Sequence, residues 1–249
     1  MLVHILGDIH NDRNKDSFES KKKDLFTICT GDISNNPNKV VKWIKENISE
    51  GLFVCGNHEF SNNIPMPEIY KYFKNEFPLN NKVSFLQNSY KIIDNKVFVG
   101  CTLWTDFSLS IKGKINSIKR QKLENYIYGF YRDWEMLAPF HTIKEFKVSL
   151  NYLQYICKKF IDKEIIVITH HCPSMKCSAP KYTNNILNSA MITDLEDFII
   201  MNPNIKYWFC GHCHREPLDI KIGQCRLIMN TKGYIKEGLG FNPELTIEI

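Results

Sequence analysis

Two aspartates, one asparagine and six histidines stand in five short stretches of this chain. Each stretch lies directly behind an apolar run that reads as a β-strand. They are Gly7-Asp8-Ile9-His10, Gly31-Asp32-Ile33, Gly56-Asn57-His58-Glu59, Thr169-His170-His171 and Gly211-His212-Cys213-His214. Asp8, His10, Asp32, Asn57, His170, His212 and His214 are the candidate ligands, with His58 and His171 to spare. Mixed oxygen and nitrogen donors of this kind hold divalent metal ions. Two such ions beside a phosphate ester would clamp the attacking and leaving oxygens at a separation of about 3.5–4 Å. A water held by them would ionise near neutral pH and serve as the nucleophile.

Spacing assigns provisional roles. Asp8 and His10 are two residues apart, so in extended backbone they face the same way and can meet one ion. His212 and His214 share the spacing, though at a strand exit they could diverge toward two adjacent ions. Asp32 stands alone at its strand end and is the candidate bridging carboxylate. His58 follows Asn57 and could protonate the leaving oxygen as general acid. Glu59 could orient His58 by hydrogen bond or cap a helix. Gly7, Gly31, Gly56 and Gly211 each precede a candidate ligand, where a missing Cβ permits a sharp turn and close backbone approach. Singly, each motif has a plainer account as turn residues. Five in order, each after a strand, outweigh it.

The elements that must position these residues follow from periodicity. Strands are expected at 2–6, 25–29 and 52–55, with a helix over 38–49 between the second and third. This βαβ pattern predicts parallel strands flanked by helices, with ligands beyond their carboxyl ends. A helix is expected over 65–77, then strands at 83–86, 90–93 and 96–101, with Asp94-Asn95 as a hairpin turn. Residues 105–141 are irregular and read as a cap inserted over the site. A helix over 142–161, a strand at 165–168, a helix over 194–200 capped by Thr193, and strands at 207–210, 218–222 and 225–229 complete the pattern. The expected architecture is α/β: two packed sheets with helices outside, in one domain spanning 1–249.

The chain has 249 residues, 43% hydrophobic and 24% charged, which suits one domain with a large core. A net charge of +5 favours anionic substrates but is too small to argue alone for nucleic acid. Lys21-Lys22-Lys23 reads as a solvated loop or helix start. No apolar run approaches the roughly 18–20 residues of a membrane span, so no membrane partner is expected. A signal peptide would have to contain the first motif, and the nine cysteines read as reduced, mostly buried thiols. The expected location is therefore cytoplasmic. Cys210-x-x-Cys213 has the spacing of half a zinc site. No second half is evident in the chain, and both read as core thiols. His171 could touch substrate or sit behind a ligand. His4 and His141 have no motif and read as structural or surface residues.

With these motifs in order, the sequence resembles the calcineurin-like metallophosphoesterases along essentially its whole length. The resemblance implies a four-layer αββα double β-sandwich, here with a small cap insertion. It implies one ion held by Asp8, His10, Asp32 and His214 and a second by Asp32, Asn57, His170 and His212, with His58 as the acid. The cofactor it implies is a pair of divalent transition metal ions, manganese first, iron or zinc otherwise. Residues 100–107 (Gly-Cys-Thr-Leu-Trp-Thr-Asp-Phe), 169–174 and 230–234 further resemble a bacterial branch of phosphohydrolases with poorly defined substrates. The second motif continues as Ile33-Ser34-Asn35-Asn36-Pro37 and lacks the arginine of the family's protein phosphatases. The first motif lacks the cysteine of the lariat-debranching enzymes.

Three functions compete on these residues. The first is a phosphodiesterase or phosphatase for a small phosphorylated molecule, a nucleotide among the candidates. The second is a nuclease using the same site, prompted by Lys112, Lys114, Lys119, Arg120, Lys122 and Arg132 in the cap; a solvated cationic surface is the plainer account. The third is a non-catalytic scaffold, disfavoured because no ligand is missing. Specificity is expected from 105–141 and 172–189. Arg132 with Tyr126, Tyr128, Phe130, Tyr131 and Trp134 could clamp a nucleobase and phosphate or simply form the cap core. Substrate-binding residues and oligomeric state are not specified by the sequence.

Overall fold

The computed structural model describes residues 1–14, 18–110, 129–133, 135–182 and 185–249. The basic residues Lys112, Lys114, Lys119, Arg120 and Lys122, and the aromatics Tyr126, Tyr128 and Trp134, lie outside the described residues.

Eleven strands among the described residues form two sheets. The first is ordered β11-β1-β2-β3-β4, from β1 (Leu2–Leu6), β2 (Phe26–Cys29), β3 (Glu50–Phe53), β4 (Val83–Phe85) and β11 (Thr246–Glu248). The second is ordered β5-β6-β7-β8-β10-β9. Its strands are β5 (Ser89–Ile93), β6 (Lys96–Cys101), β7 (Ile165–Thr169), β8 (Ile205–Cys210), β9 (Leu218–Ile222) and β10 (Cys225–Met229). β1 to β4 run parallel, as do β6, β7, β8 and β10; β11, β5 and β9 are antiparallel edges.

Strand alternation builds four layers. Val3, Ile5, Ile28, Leu52 and Val54 pack with Phe98, Ile166, Ile168, Phe209 and Ile228 in one cluster between the sheets. Their alternate neighbours Leu6, Cys29, Phe53, Val97, Val99, Val167 and Trp208 belong to the cluster that includes the helices. Burial on both faces explains why these strands read as continuous apolar runs. Helices α1 (Pro37–Asn47) and α2 (Met66–Glu76) accompany the first sheet, and α3 (Pro139–Lys159) and α4 (Glu196–Met201) the second. The expected αββα sandwich is therefore the observed one.

Local chemistry sets the boundaries. The Asn36 Oδ1 accepts from the N–H groups of Asn38 and Lys39 and caps α1, with Pro37 in its first turn. Asp94 and Asn95 adopt φ of 47° and 65°, the left-handed pair a two-residue hairpin demands. Several expectations need correction. α3 begins at Pro139, ahead of residue 142, because proline suits a first turn and the His141 Nδ1 accepts the Ala138 N–H. Thr193 does not cap α4: its hydroxyl is engaged with Asp106, while the helix starts after Leu195. β11 was not expected, since three residues with polar neighbours carry no periodicity; it pairs with β1 from His4↔Thr246 to Leu2↔Glu248.

Candidate metal centre

The carboxyl ends of both parallel sets meet, and the five motifs lie there. Asp8 follows β1, Asp32 follows β2, Asn57 and His58 follow β3, His170 follows β7, and His212 and His214 follow β8. Backbone bonds knit these loops: Asp8 N–H to Gly31 C=O, His10 N–H to Asp32 C=O, and Gly211 N–H to His170 C=O, each 2.9 Å. Asp8, His10, Asp32 and His212 all have positive φ, between 51° and 65°. Non-glycine residues rarely adopt this conformation, and it persists only where surrounding bonds enforce it. Two glycines make room. A Cβ on Gly56 would collide with the Asp32 carboxylate and the His170 ring, and one on Gly211 would lie 2.5 Å from the Asp8 Oδ2.

The seven expected ligands converge in two overlapping sets. His10 Nε2 lies 3.0 Å from His214 Nε2, and Asp8 Oδ1 lies 3.4 Å from that same His214 nitrogen. On the other side, His170 Nε2 lies 3.0 Å from His212 Nδ1 and 3.1 Å from Asn57 Oδ1. A single oxygen, Asp32 Oδ2, is 3.7 Å from His10 Nε2 and 3.4 Å from His170 Nε2 and so touches both sets. The donor set fits transition metal ions by type. His10 and His212 present Nε2 and Nδ1 to these sets; their other nitrogens, His10 Nδ1 and His212 Nε2, are buried without hydrogen-bond partners among the described residues.

Partners outside the motifs orient the rings. The Thr30 C=O lies 2.8 Å from His170 Nδ1, and Glu237 Oε2 lies 2.8 Å from His214 Nδ1. Such outer bonds fix which ring nitrogen faces an ion. Burial opposes charge on these rings, but Asp32 and the Thr30 carbonyl push His170 up to about 9. Burial likewise opposes charge on His214, which Asp8 and Glu237 push up to about 10. Burial dominates at His10, lowered to about 4, and at His212, held well below the ordinary imidazole value. Burial works against ionisation of Asp32, yet the surrounding imidazoles hold it well below the usual carboxylate range.

His58 sits beside this centre, its ring centroid 4.4 Å from that of His10, with Nε2 3.5 Å from the Tyr234 hydroxyl. Its N–H donates to Asp32 Oδ1 at 2.8 Å. The residue facing its Nδ1 is Asp12, at 3.5 Å, and not Glu59. Burial would lower the His58 pKa, but Asp32 and Asp12 together raise it. Glu59 does something else. Its buried carboxylate accepts the N–H groups of Asp32 (2.9 Å), Gly56 (2.6 Å), Ile33 (2.7 Å) and Ser34 (3.2 Å). It thereby holds the Asp32 loop against the Gly56 turn, and burial with the nearby Asp32 charge pushes it up to about 7.

His171 turns away from the cleft. Its Nδ1 meets the Thr102 C=O at 3.1 Å, and its ring packs on Trp104 and His212. His4 and His141 are structural, bonded to the Pro243 C=O and the Ala138 N–H. Three participants had no role assigned by the sequence. Asp12 extends the alternation Asp8, His10 by two more residues, a signal present in the sequence. Tyr234 closes the stretch 230–234 on which the closer resemblance rests, and Glu237, three residues on in the turn after β10, carried no motif.

A cleft of about 800 Å³ opens over the centre. Asp32, Asn57, His58, His212 and His214 line its floor, and Arg13, Tyr234 and residues between Ser178 and Met191 its walls. Among the described residues, none from 105–141 lines it. Phe130 pairs with Pro65 and Met136, and Arg132 lies 5.5 Å over the Tyr131 ring.

The chain is similar in fold to two solved structures. One is the phosphopantetheinyl hydrolase from Mycobacterium tuberculosis, with a TM-score of 0.70 and 16% identity over 94% of this chain and 90% of that one. The other is a dimetal phosphatase from Danio rerio, with a TM-score of 0.50 and 12% identity over 97% and 89%. No curated protein matches the chain. Residues 1–216 match the model of the calcineurin-like phosphoesterases. The chain belongs to the calcineurin-like phosphoesterase family and is a metal-dependent phosphoester hydrolase.

Proposed function

We propose that this enzyme hydrolyses phosphodiesters of nucleotide size at a dinuclear centre. Asp8, His10, Asp32 and His214 would hold one ion and Asp32, Asn57, His170 and His212 the other, manganese being the leading candidate. The observation that carries the reading is the single Asp32 oxygen shared by two imidazole sets. When bound, the paired ions supply Lewis acidity and acidify the attacking water. His58, whose pKa Asp32 and Asp12 raise against burial, delivers a proton to the leaving oxygen. Glu59 holds the Asp32 loop fixed during turnover.

Charge in the cleft favours a diester. Arg13 is its one Lys or Arg side chain among the described lining residues, beside the neutral amides Asn35, Asn57, Asn185 and Asn188. Beside the two ions this reading places in the cleft, a single further cation suits a singly charged diester better than a dianionic monoester. The volume falls in the roughly 300–1,000 Å³ range of small-molecule sites. The nine cysteines are free and buried, which supports a reducing, cytoplasmic location. Among the described residues no helix is long and apolar enough to cross a membrane. The test is hydrolysis of bis(p-nitrophenyl) phosphate against p-nitrophenyl phosphate with Mn²⁺. A higher kcat/KM for the diester is expected; preference for the monoester would reassign the enzyme as a phosphatase.

A further inference from the structure

Three of the nine cysteines gather behind the cleft and a fourth, Cys213, lines it, where the sequence pattern offers only the pair Cys210-x-x-Cys213. Cys172 follows β7 by three residues, Cys177 ends the short turn Met175–Cys177, and Cys210 ends β8. All three are fully buried, and their sulfurs lie within 4.8 Å of one another. Cys213, 4% exposed, stands outside this trio at the cleft wall, with its thiol toward that of Cys172. Cys172-x4-Cys177 is thus the second half that Cys210-x-x-Cys213 lacks in the linear chain, and both spacings are those of structural zinc sites.

The cluster is held in place by backbone, as a built site requires. Cys172 N–H donates to the Met191 C=O at 3.2 Å, and Cys177 N–H to the Ser174 C=O at 3.0 Å. Arg215 donates to the carbonyls on either side of Cys177, those of Lys176 (2.8 Å) and Ser178 (3.1 Å). This places a guanidinium beside sulfurs that would become negative on losing their protons. Isolated core thiols need neither mutual proximity nor a nearby cation. A disulfide needs two sulfurs at about 2.05 Å and leaves the others without a role. A tetrahedral zinc with Zn–S of about 2.3 Å spaces its sulfurs at about 3.8 Å, inside the 4.8 Å within which the Cys172, Cys177 and Cys210 sulfurs lie, and Cys213 would have to turn in to join them.

We propose that Cys172, Cys177, Cys210 and Cys213 bind one structural Zn²⁺, separate from the hydrolytic centre. On binding, each thiol releases its proton to solvent and donates a sulfur lone pair; no electron is transferred. The ion would tie the wall segment that begins at Cys172 to the loop carrying His212 and His214. Thiolates select zinc over manganese, so the two centres would take different metals. The proposal stands apart from the phosphodiester reading.

Chelator-treated, fully reduced protein titrated with Co²⁺ provides the test. A thiolate-to-cobalt charge-transfer band is expected to saturate by three equivalents, the capacity of the thiol site and the hydrolytic centre together, and to vanish on addition of Zn²⁺. It should persist in Asp32→Ala and be lost in Cys177→Ser and Cys210→Ser. Should those variants fail to fold, the wild-type titration decides by itself. No band in wild type would overturn the proposal. Thiol counting in denaturant without reductant would then separate its rivals: nine reactive thiols mean plain core cysteines, and seven mean a disulfide.

Discussion

His58 and Glu59 are adjacent in the chain and serve opposite ends of the same task. The proposed acid is His58, whose pKa is raised because Asp32 and Asp12 outweigh burial. A raised pKa means the acid is present below that value and is lost as pH rises through it. Removing a carboxylate neighbour lowers the value, so Asp12→Asn should move the basic limb of the kcat profile to lower pH, as a pH–rate series would reveal; an unmoved limb would dissociate Asp12 from the acid. General acid catalysis matters most for poor leaving groups. His58→Ala should therefore cost roughly 10²–10⁴-fold on an alkyl ester and far less on a p-nitrophenyl ester, whose leaving oxygen needs no proton. Equal losses on both would mean that His58 does not act as the acid. Glu59 instead accepts four backbone N–H groups. In Glu59→Gln an NH₂ group would face donors, and a loss of about 2 kcal/mol in unfolding free energy is expected, read from denaturant melts. Sequence pattern alone could not assign this role, because Glu59 is adjacent to His58 but reaches 25 to 27 residues back to three of its four partners.

At the scale of elements, the sites are delivered by strand ends and by the glycines that let those ends touch. Gly56 lets the turn after β3 lie against the Asp32 carboxylate and the His170 ring. Gly56→Ala should leave the circular dichroism of the fold intact but reduce bound Mn²⁺ below two per chain; full loading would show that the close approach is dispensable. The strands and their polar exits were legible because each central strand is buried on both faces and ends in a glycine or threonine before a ligand. β11 was not legible: three residues gain their structure only from pairing with β1. Thr193 misled because a threonine before an acidic, apolar run looks like a cap, while its hydroxyl is engaged with Asp106, 87 residues away. The same limit hid the thiol cluster, since Cys172 and Cys210 approach only when the loop after β7 and the end of β8 come together.

For the molecule as a whole, two sheets bring their carboxyl ends together and place five motifs, spread over more than two hundred residues, around one oxygen of Asp32. The described part of the cleft carries one cationic side chain, too little for an extended nucleic-acid track. Binding of single-stranded DNA or RNA should accordingly be weak and change little between low and moderate salt. A steep fall in affinity with salt would indicate several phosphate contacts and favour the nuclease reading. The central claim, that Asp32 joins two ions into one hydrolytic centre, is tested most directly by Asp32→Ala. Bound Mn²⁺ and turnover of bis(p-nitrophenyl) phosphate would be measured on the same sample. Two ions per chain and Mn²⁺-dependent cleavage are predicted for wild type, with loss of both ion pairing and turnover in the variant. Full turnover without Asp32 would contradict the account.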